Sequence, residues 1–326
     1  MKSTRRAFLQ QGGVAATTAI LAGLAPRRIG ALAAQAASTA APPSDGVAAM
    51  RASGASAPIQ VTKLRDTLYL LQGAGGNMIA LVGPDGKLLV DSSFATAATR
   101  LHQALATLDP HPLKLLVNTH WHFDHTDGNA AAHDAGAFII AHSNTRVRLS
   151  APQTVPFFHL NLPASPTGAL PQQTFDDKQM LFVNDEPIAL VHVPPAHTDS
   201  DIYVHFQRQN VLHAGDLWFN GFYPFFDQGT GGNINGMIQG VDQCLAVADD
   251  KTKIVPGHGP VGDKAGLSRY REMLATTATR IETLKSAGQT LEGTLAAKPT
   301  ADYDGDWGKG MVPPDAFATL IYTTLP

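Results

Sequence analysis

The chain has a single cysteine, Cys244, among its 326 residues. A disulfide within the chain needs two cysteines, so the sequence excludes a small disulfide-stapled scaffold and leaves stability to an apolar core. The scarcity of cysteine also argues against thiolate metal ligands. Any metal site in this chain is therefore expected to use histidine and carboxylate donors.

The sequence also lacks an excess of basic residues. Its 24 lysines and arginines are outnumbered by 27 acidic residues, the formal net charge is −3 and the isoelectric point is near 6.5. A groove for nucleic acid needs a basic face. The composition therefore argues against a nucleic-acid partner and favours a small-molecule substrate.

No apolar run in the sequence is long enough for a typical membrane span. The best candidate, residues 13–24, is shorter than the roughly 18–20 apolar residues that a span needs, and it contains glycine and threonine. This run follows Arg5 and Arg6 and precedes a small-residue site that ends at Ala36. The pattern predicts a twin-arginine signal peptide over residues 1–36 rather than a membrane anchor. The mature protein would then be periplasmic or secreted.

Two regions with different composition follow the predicted signal. Residues 37–58 are rich in alanine, serine, proline and glycine and show no periodic apolar pattern, which predicts a flexible leader. Residues 59–326 are long enough for one domain with a substantial core. The sequence therefore predicts a signal, a leader and a single domain.

Short apolar runs alternate with helical stretches along the domain, which is typical of the α/β class. Helices are expected at residues 96–108, 130–135, 144–149, 234–248 and 267–286. Strands are expected at residues 59–64, 68–72, 78–82, 87–91, 114–118, 138–141, 181–183, 188–193, 202–206, 211–214 and 253–255. A proline-rich, aromatic loop is expected between residues 151 and 171.

The densest group of metal donors follows the strand predicted at residues 114–118. It consists of His120, His122, Asp124 and His125, three imidazoles and one carboxylate within six positions. In an extended stretch His120 and His122 point to the same side and can reach one Zn²⁺, while Asp124 and His125 can face a neighbouring ion. The loop is thus expected to hold two metal ions.

This loop resembles the signature of the metallo-β-lactamase-fold (MBL-fold) metallo-hydrolase superfamily. The resemblance extends to three later motifs in the family's order: Pro195-Ala196-His197-Thr198, Ala214-Gly215-Asp216 and Pro256-Gly257-His258-Gly259. It implies a four-layered αββα sandwich of mixed α/β (α+β) class, with metals at one edge.

The resemblance also implies a ligand set for two zinc ions or other divalent metals. The first site would be His120, His122 and His197, the second Asp124, His125 and His258, with Asp216 bridging the two. Two ions neutralised by only two carboxylates keep a positive charge that makes hydroxide available at neutral pH. That hydroxide would attack a carbonyl carbon, and Asp124 would orient it.

The substrate class follows less directly from the motifs. The ligand set is similar to that of glyoxalase II-type thioesterases, whereas well-known zinc β-lactamases generally lack an aspartate at the position of Asp216. We expect hydrolysis of an ester, thioester, lactone or lactam. The alternatives are a true periplasmic β-lactamase and an accessory metal-binding protein without hydrolytic turnover.

Further predictions concern residues around the metals. Asp91, at a strand end, is a candidate carboxylate for holding a ligand imidazole. The loop before residue 160 is expected near the pocket, and the aromatic-rich loop of residues 218–227 either forms core or lines the substrate mouth. The candidate lining residues are Phe157, Phe158, His159, Trp218 and Tyr223. The remaining histidines have no metal spacing.

Overall fold

Two β-sheets form the centre of residues 45–326, the part of the chain that the computed structural model describes. The first sheet contains, in sheet order, β1 (Gln60–Lys63), β2 (Leu68–Gln72), β3 (Met78–Leu81), β4 (Lys87–Val90), β5 (Leu113–Val117), β6 (Phe138–His142) and β9 (Gln173–Phe175). The second contains β10 (Lys178–Val183), β11 (Glu186–His192), β12 (Ile202–Phe206), β13 (Val211–Phe219) and β14 (Lys253–His258). A separate hairpin is formed by β7 (Gln153–Val155) and β8 (Leu160–Leu162).

The helices connect these strands and cover the sheets. They are α1 (Asp45–Ser56), α2 (Ala98–Leu108), α3 (Phe123–Thr126), α4 (Asn129–Asp134), α5 (Ser143–Leu149), α6 (Ile234–Val247), α7 (Lys264–Ser286), α8 (Leu291–Ala296), α9 (Asp304–Trp307) and α10 (Pro314–Thr324). The two long helices have capped starts: the side chain of Asn233 accepts from the Gly236 N–H before α6, and that of Asp263 accepts from the Gly266 N–H before α7. These caps satisfy backbone donors that the first turn of a helix leaves free.

Alternating side chains divide the first sheet between two apolar layers. In β3, Ile79 and Leu81 pack with residues of the second sheet such as Ile188, whereas Met78 and Ala80 pack with the helices α2 and α4. This alternation is the two-residue period of a strand, with both faces buried. The sheets therefore lie face to face, with α2 and α4 covering the outer face of the first.

The second sheet is covered by helices in the same way. Leu212 and Ala214 of β13 belong to one apolar cluster with Met237 of α6, Leu274 of α7 and Ile321 of α10. The layers are thus helix, sheet, sheet and helix, which confirms the predicted αββα sandwich. Each predicted strand and helix is present with ends shifted by a few residues, although β13 continues past the predicted end at residue 214.

Parallel strand pairs bring several strand ends to one edge of the sandwich. β4 pairs with β5 in parallel, and β13 pairs with β14 in parallel. The carboxyl ends of neighbouring parallel strands lie at the same edge of a sheet, where open α/β sheets bind ligands. The chain segments that leave these ends carry most of the predicted metal ligands.

The prediction of a flexible leader is wrong for residues 45–56, because they form the helix α1. Val47 is buried in the core, and the Arg51 guanidinium makes a two-bonded ion pair with Asp127 at 2.6 and 3.0 Å. The Thr96 hydroxyl donates to the Arg51 carbonyl at 2.6 Å. Local composition hid this helix because its stability comes from distant partners rather than from an apolar period of its own.

Other predictions lie partly or wholly outside the described residues. The signal peptide at residues 1–36 and the first part of the leader belong to this group. Within residues 45–326, no helix has both the length and the apolar character to cross a membrane.

The hairpin β7–β8, the edge strand β9 and the helices α8 to α10 were not predicted, because their short segments carry little periodic signal.

Candidate metal centre

Seven histidine and aspartate side chains from separate segments meet at the edge where β4, β5, β13 and β14 end. The loop after β5 supplies two, the short helix α3 two, the loop between β11 and β12 one, β13 one and the end of β14 one. In chain order they are His120, His122, Asp124, His125, His197, Asp216 and His258. The structure thus brings together all seven predicted ligands.

The first donor group consists of His120, His122, His197 and Asp216, whose donor atoms all lie within 4.8 Å of one another. The His122 Nδ1 is 2.7 Å from the His197 Nε2. The Asp216 Oδ2 is 3.2 Å from the His197 Nε2 and 3.9 Å from the His120 Nε2. Three ring nitrogens and one carboxylate oxygen therefore converge on one small volume.

The second donor group consists of Asp124, His125 and His258. The His258 Nε2 lies 3.2 Å from the Asp124 Oδ2 and 3.4 Å from the His125 Nε2. The Asp216 carboxylate faces this group as well, with its Oδ1 3.2 Å from the His125 Nε2 and its Oδ2 3.4 Å from the His258 Nε2. Asp216 therefore lies between the two groups, at the position predicted for a bridging ligand.

The electrostatics differ between the two groups. Burial lowers the pKa of His120 and lowers that of His197 to about 4, which favours neutral imidazoles. Burial also opposes the charged form of His258, but Asp216 and Asp124 outweigh it and raise the pKa of His258 to about 10. The surrounding imidazoles, those of His258 and His125 first, hold the pKa of Asp216 well below its usual range, against the cost of burial. The carboxylate between the groups is thus ionised at neutral pH.

Asp91 holds the imidazole of His125 in place. Its Oδ2 lies 2.7 Å from the His125 Nδ1, and the predicted contact with a ligand imidazole is therefore present. The Thr119 N–H and hydroxyl donate to the same carboxylate at 2.8 and 2.7 Å. Asp91 has φ of +62°, a conformation that aspartate tolerates better than most residues. A carboxylate behind a histidine fixes the ring and aims its other nitrogen into the site.

The first group has supports that the sequence did not reveal. The His197 Nδ1 lies 2.8 Å from the Phe225 carbonyl oxygen, and the His122 Nε2 lies 3.5 Å from the Asp227 Oδ2. Asp227 in turn accepts from the Thr230 hydroxyl at 2.7 Å. Both supports come from the aromatic-rich loop. Its many aromatic residues gave no indication that a carbonyl and a carboxylate oxygen of this loop contact the histidine ligands.

A buried aspartate organises the turn that carries His197. Asp201 accepts from the backbone N–H groups of His197 and Thr198 at 2.7 and 2.8 Å, and from the Thr198 hydroxyl at 2.7 Å. Burial raises the pKa of Asp201 to about 7, although these donors oppose the shift. The sequence Thr198-Asp199-Ser200-Asp201 contained the signal, because aspartate and serine favour such side-chain-bonded turns.

Two glycines make room for the donors. A Cβ at Gly257 would lie 1.8 Å from the Asp216 Oδ1, and a Cβ at Gly76 would lie 2.1 Å from the His125 ring. Any larger residue at either position would displace a donor. Close approach of backbone is a common reason for glycine at a ligand site.

The donor set fits divalent metal ions such as Zn²⁺. Zn²⁺ accepts histidine nitrogen and aspartate oxygen at about 2.0–2.2 Å. The His120 Nε2 is buried, points into the cluster and has no hydrogen-bond partner among the described residues. Elsewhere in residues 45–326, no cluster of this kind involves the other histidines, namely His102, His111, His133, His142, His159, His192, His205 and His213.

A cavity of about 200 Å³ opens onto both donor groups. Phe158, Phe219 and Phe225 line it together with His122 and His258. The Phe219 ring stacks on His258 with centroids 5.4 Å apart, and Phe225 stacks on His122 at 6.1 Å. The prediction for Phe158 is confirmed, whereas Phe219 and Phe225 were missed as lining residues.

Four of the predicted lining residues do not line the cavity. Trp218 and Tyr223 are buried in the core, and the Tyr223 ring stacks on Phe317 with centroids 4.5 Å apart. Phe157 packs behind Phe225, and His159 is exposed. Neighbouring strand residues point to opposite sides, so Trp218 faces core where Phe219 faces the site. The aromatic-rich loop thus forms core and pocket wall at once.

Solved structures of similar fold include a metallo-beta-lactamase from Pontibacter korlensis, 18% identical, which covers 67% of this chain and 99% of its own with a TM-score of 0.55. A metallo beta lactamase from Hirschia baltica is 18% identical, with coverage of 67% and 98% and a TM-score of 0.52. The stereoselective inverting sec-alkylsulfatase Pisa1 from Pseudomonas sp. is 17% identical, with coverage of 86% and 52% and a TM-score of 0.59. The chain thus spans about half the length of the sulfatase, and these likenesses show the fold.

The family is shown by a sequence match that contains all seven donor residues. The family model described as "Metallo-beta-lactamase superfamily" matches residues 71–258, more than half of the chain. The matched segment begins in β2 and ends at His258, the last residue of β14. Fold, donor cluster and sequence match agree, and the chain belongs to the metallo-beta-lactamase superfamily.

Proposed function

We propose that the protein is a dinuclear metal-dependent hydrolase that uses two Zn²⁺, or another divalent metal, to cleave an ester, thioester, lactone or lactam. The observation that carries the proposal is the position of Asp216, whose carboxylate lies within 3.4 Å of histidine nitrogens of both donor groups. A structural zinc site is closed and needs only four ligands. Seven convergent donors at the base of an open cavity suit catalysis better.

The residues of the chain have separate tasks in this mechanism. The seven donor residues would hold two divalent ions, which when bound would lower the pKa of a water ligand from 15.7 towards about 7 and offset negative charge on a substrate oxygen. Asp124, whose side chain is 27% exposed and lines the cavity, would orient the attacking water by accepting a hydrogen bond from it. Phe219 and Phe225 limit the access of bulk water to the donors. Asp91 keeps the His125 ring in the orientation that binding requires.

The side chains that line the cavity indicate which leaving groups the site can best release. Among the described residues that line it, none is a lysine, arginine or tyrosine that could protonate a leaving group. A thiolate leaves without such help because thiols have pKa values near 8.5, whereas an amine leaving group must be protonated or otherwise stabilised. We therefore rank thioesters ahead of β-lactams.

Metal analysis and a hydrolysis screen test the proposed function together. Protein purified without chelator is expected to hold two divalent ions per chain and to hydrolyse thioesters faster than β-lactams. Elemental analysis gives the stoichiometry, and kcat/KM for lactam, lactone, thioester and phosphodiester reporters gives the ranking. One ion with full activity would contradict the dinuclear mechanism. A penicillin turned over fastest would identify a β-lactamase, and two ions without turnover of any reporter would favour an accessory metal-binding protein.

We also propose that the protein acts in the periplasm or outside the cell after export by the twin-arginine route. The support is the sequence pattern of residues 1–36, in which Arg5 and Arg6 precede the apolar stretch. The pair is read by a receptor, so the export of a precursor depends on the arginine side chains themselves.

Replacing Arg5 and Arg6 together with lysine is expected to retain the precursor in the cytoplasm, although charge and hydropathy hardly change. Cell fractionation with an antibody against the mature domain measures this. The matched control replaces Arg27 and Arg28 with lysine, the same change on the other side of the apolar stretch. Unchanged export of the first variant would indicate the general secretion route.

A further inference from the structure

The cavity above the donor cluster is apolar apart from the donors themselves. Besides the histidines and aspartates of the cluster, its described lining contains one hydroxyl, that of Ser53, and otherwise only aliphatic, methionine and phenylalanine side chains. No lysine or arginine is among the described lining residues. Beyond the donor cluster, a substrate in this cavity therefore finds no cationic side chain to pair with an anionic group.

Two walls of the cavity come from segments outside the matched residues 71–258. Met50 and Ser53 belong to the helix α1, and Met311 lies shortly before α10. The ion pair of Arg51 with Asp127 fixes α1 at the cavity, and the Arg51 guanidinium lies 5.2 Å above the Phe123 ring. These walls are therefore built by parts of the chain that the family match does not include.

The opposite wall is aromatic and rigid. The rings of Phe158 and Phe225 have centroids 4.8 Å apart, and Phe225 also packs against His197 at 5.8 Å. Such contacts add to the burial of apolar area and keep the rings in place. The cavity has a volume of about 200 Å³. An apolar cavity of about 150 Å³ already holds a benzene molecule.

We propose that the site selects neutral substrates whose acyl part is an apolar group at least as large as a benzene ring, held between α1, Met311 and the phenylalanine wall. This inference rests on the proposed hydrolytic function. The reacting carbonyl occupies the donor cluster, and the rest of the acyl group fills the apolar cavity. An anionic group in the acyl part would be buried without a partner, which an apolar surrounding strongly disfavours.

The test compares three esters that share one leaving group and differ only in the acyl part: acetyl, octanoyl, and the half-ester of suberic acid, an eight-carbon chain that ends in a carboxylate. The metal-loaded protein is expected to show a kcat/KM for the octanoyl ester at least about tenfold above both others, since burial of apolar groups discriminates by this much or more. Equal or faster turnover of the half-ester would overturn the proposal.

Two variants place a cation on the proposed wall. Met50→Lys and Met311→Lys are each expected to shift the ratio of half-ester to octanoyl turnover upward, because the new ammonium can pair with the carboxylate. Met311 is 68% exposed, so its replacement does not disturb packing. The matched control is Phe182→Lys, which also replaces an apolar side chain with a cationic one. Phe182 lies on β10, is 76% exposed and does not line the cavity. An unchanged ratio in both wall variants would contradict the proposed position of the acyl group.

A binding measurement separates this inference from the proposed function. Octanol is expected to raise the melting temperature of the metal-loaded wild-type protein, and to do so less in Met50→Lys than in Phe182→Lys. If no reporter is hydrolysed but octanol stabilises in this pattern, the hydrolytic proposal fails and the apolar pocket stands. If esters are hydrolysed without preference for the octanoyl group and octanol has no effect, the hydrolytic proposal stands and the inference fails.

Discussion

Replacing Asp216 with asparagine is expected to lower kcat more than about a hundredfold, because even the partners behind metal ligands are worth 10–100-fold. The carboxylate faces both donor groups, with Oδ1 3.2 Å from the His125 Nε2 and Oδ2 3.2 Å from the His197 Nε2. Asparagine has nearly the same shape but no charge. Two divalent ions would then be neutralised by Asp124 alone, so both donor groups lose affinity while the apolar cavity keeps its shape.

The expected signature of Asp216→Asn is a loss of metal at both groups, with a larger change in kcat than in KM. Elemental analysis after dialysis and kinetics on a thioester reporter measure the two effects. Asp242→Asn is a matched control, because it removes the same charge from a half-exposed aspartate that pairs with Arg271 on the outer helices. An asparagine variant with two tightly held ions and wild-type kcat would rule out a bridging role for Asp216.

Replacing His122 with alanine is expected to abolish most activity and to remove the metal of one donor group only. The His122 Nδ1 faces the His197 Nε2 at 2.7 Å, while its ring takes no part in the second group. The variant should therefore retain about one ion per chain, held by Asp124, His125 and His258. The metal-free protein should lose about 0.5–3 kcal/mol of unfolding free energy, the usual range for a single substitution. In this variant the Asp227 carboxylate still accepts a hydrogen bond from the Thr230 hydroxyl, which limits the loss of stability.

Metal stoichiometry, activity and chemical unfolding of the metal-free variant together decide this prediction. His205→Ala serves as the control, because His205 is a half-buried histidine of β12 outside both donor groups. The prediction is wrong if His122→Ala keeps two ions and full turnover. Loss of both ions with a collapsed unfolding transition would instead assign His122 a structural role.

Much of the metal centre could be predicted from local spacing. The pattern from His120 to His125 places four donors within six positions, and the strand before it is recognisable by its apolar run. The motifs around His197, Asp216 and His258 were assigned by resemblance to a family. Their convergence is a matter of sheet pairing, because β13 and β14 are parallel and end at the same edge as β4 and β5.

The pocket could be predicted only in part, because its walls depend on which side of an element each residue faces. Phe158 was expected to line it and does, whereas the choice between Trp218 and Phe219 depends on the direction of β13 relative to two apolar layers. Phe225 and Asp227 belong to the same loop, yet one faces the cavity and the other supports His122. Composition alone cannot distinguish such neighbours.

The alternation of apolar residues, the class of the fold and the donors of the central loop follow from residues close together in the chain. Short-range periodicity and spacing determine them without reference to the rest of the molecule. The docked helix α1, the shared position of Asp216 and the supports from Asp201 and Asp227 depend on contacts between distant segments. Arg51 and Asp127 are 76 positions apart, and His122 and Asp227 are 105 apart. Such pairs form only when packing of the two sheets has brought their segments together, so no local sequence pattern predicts them.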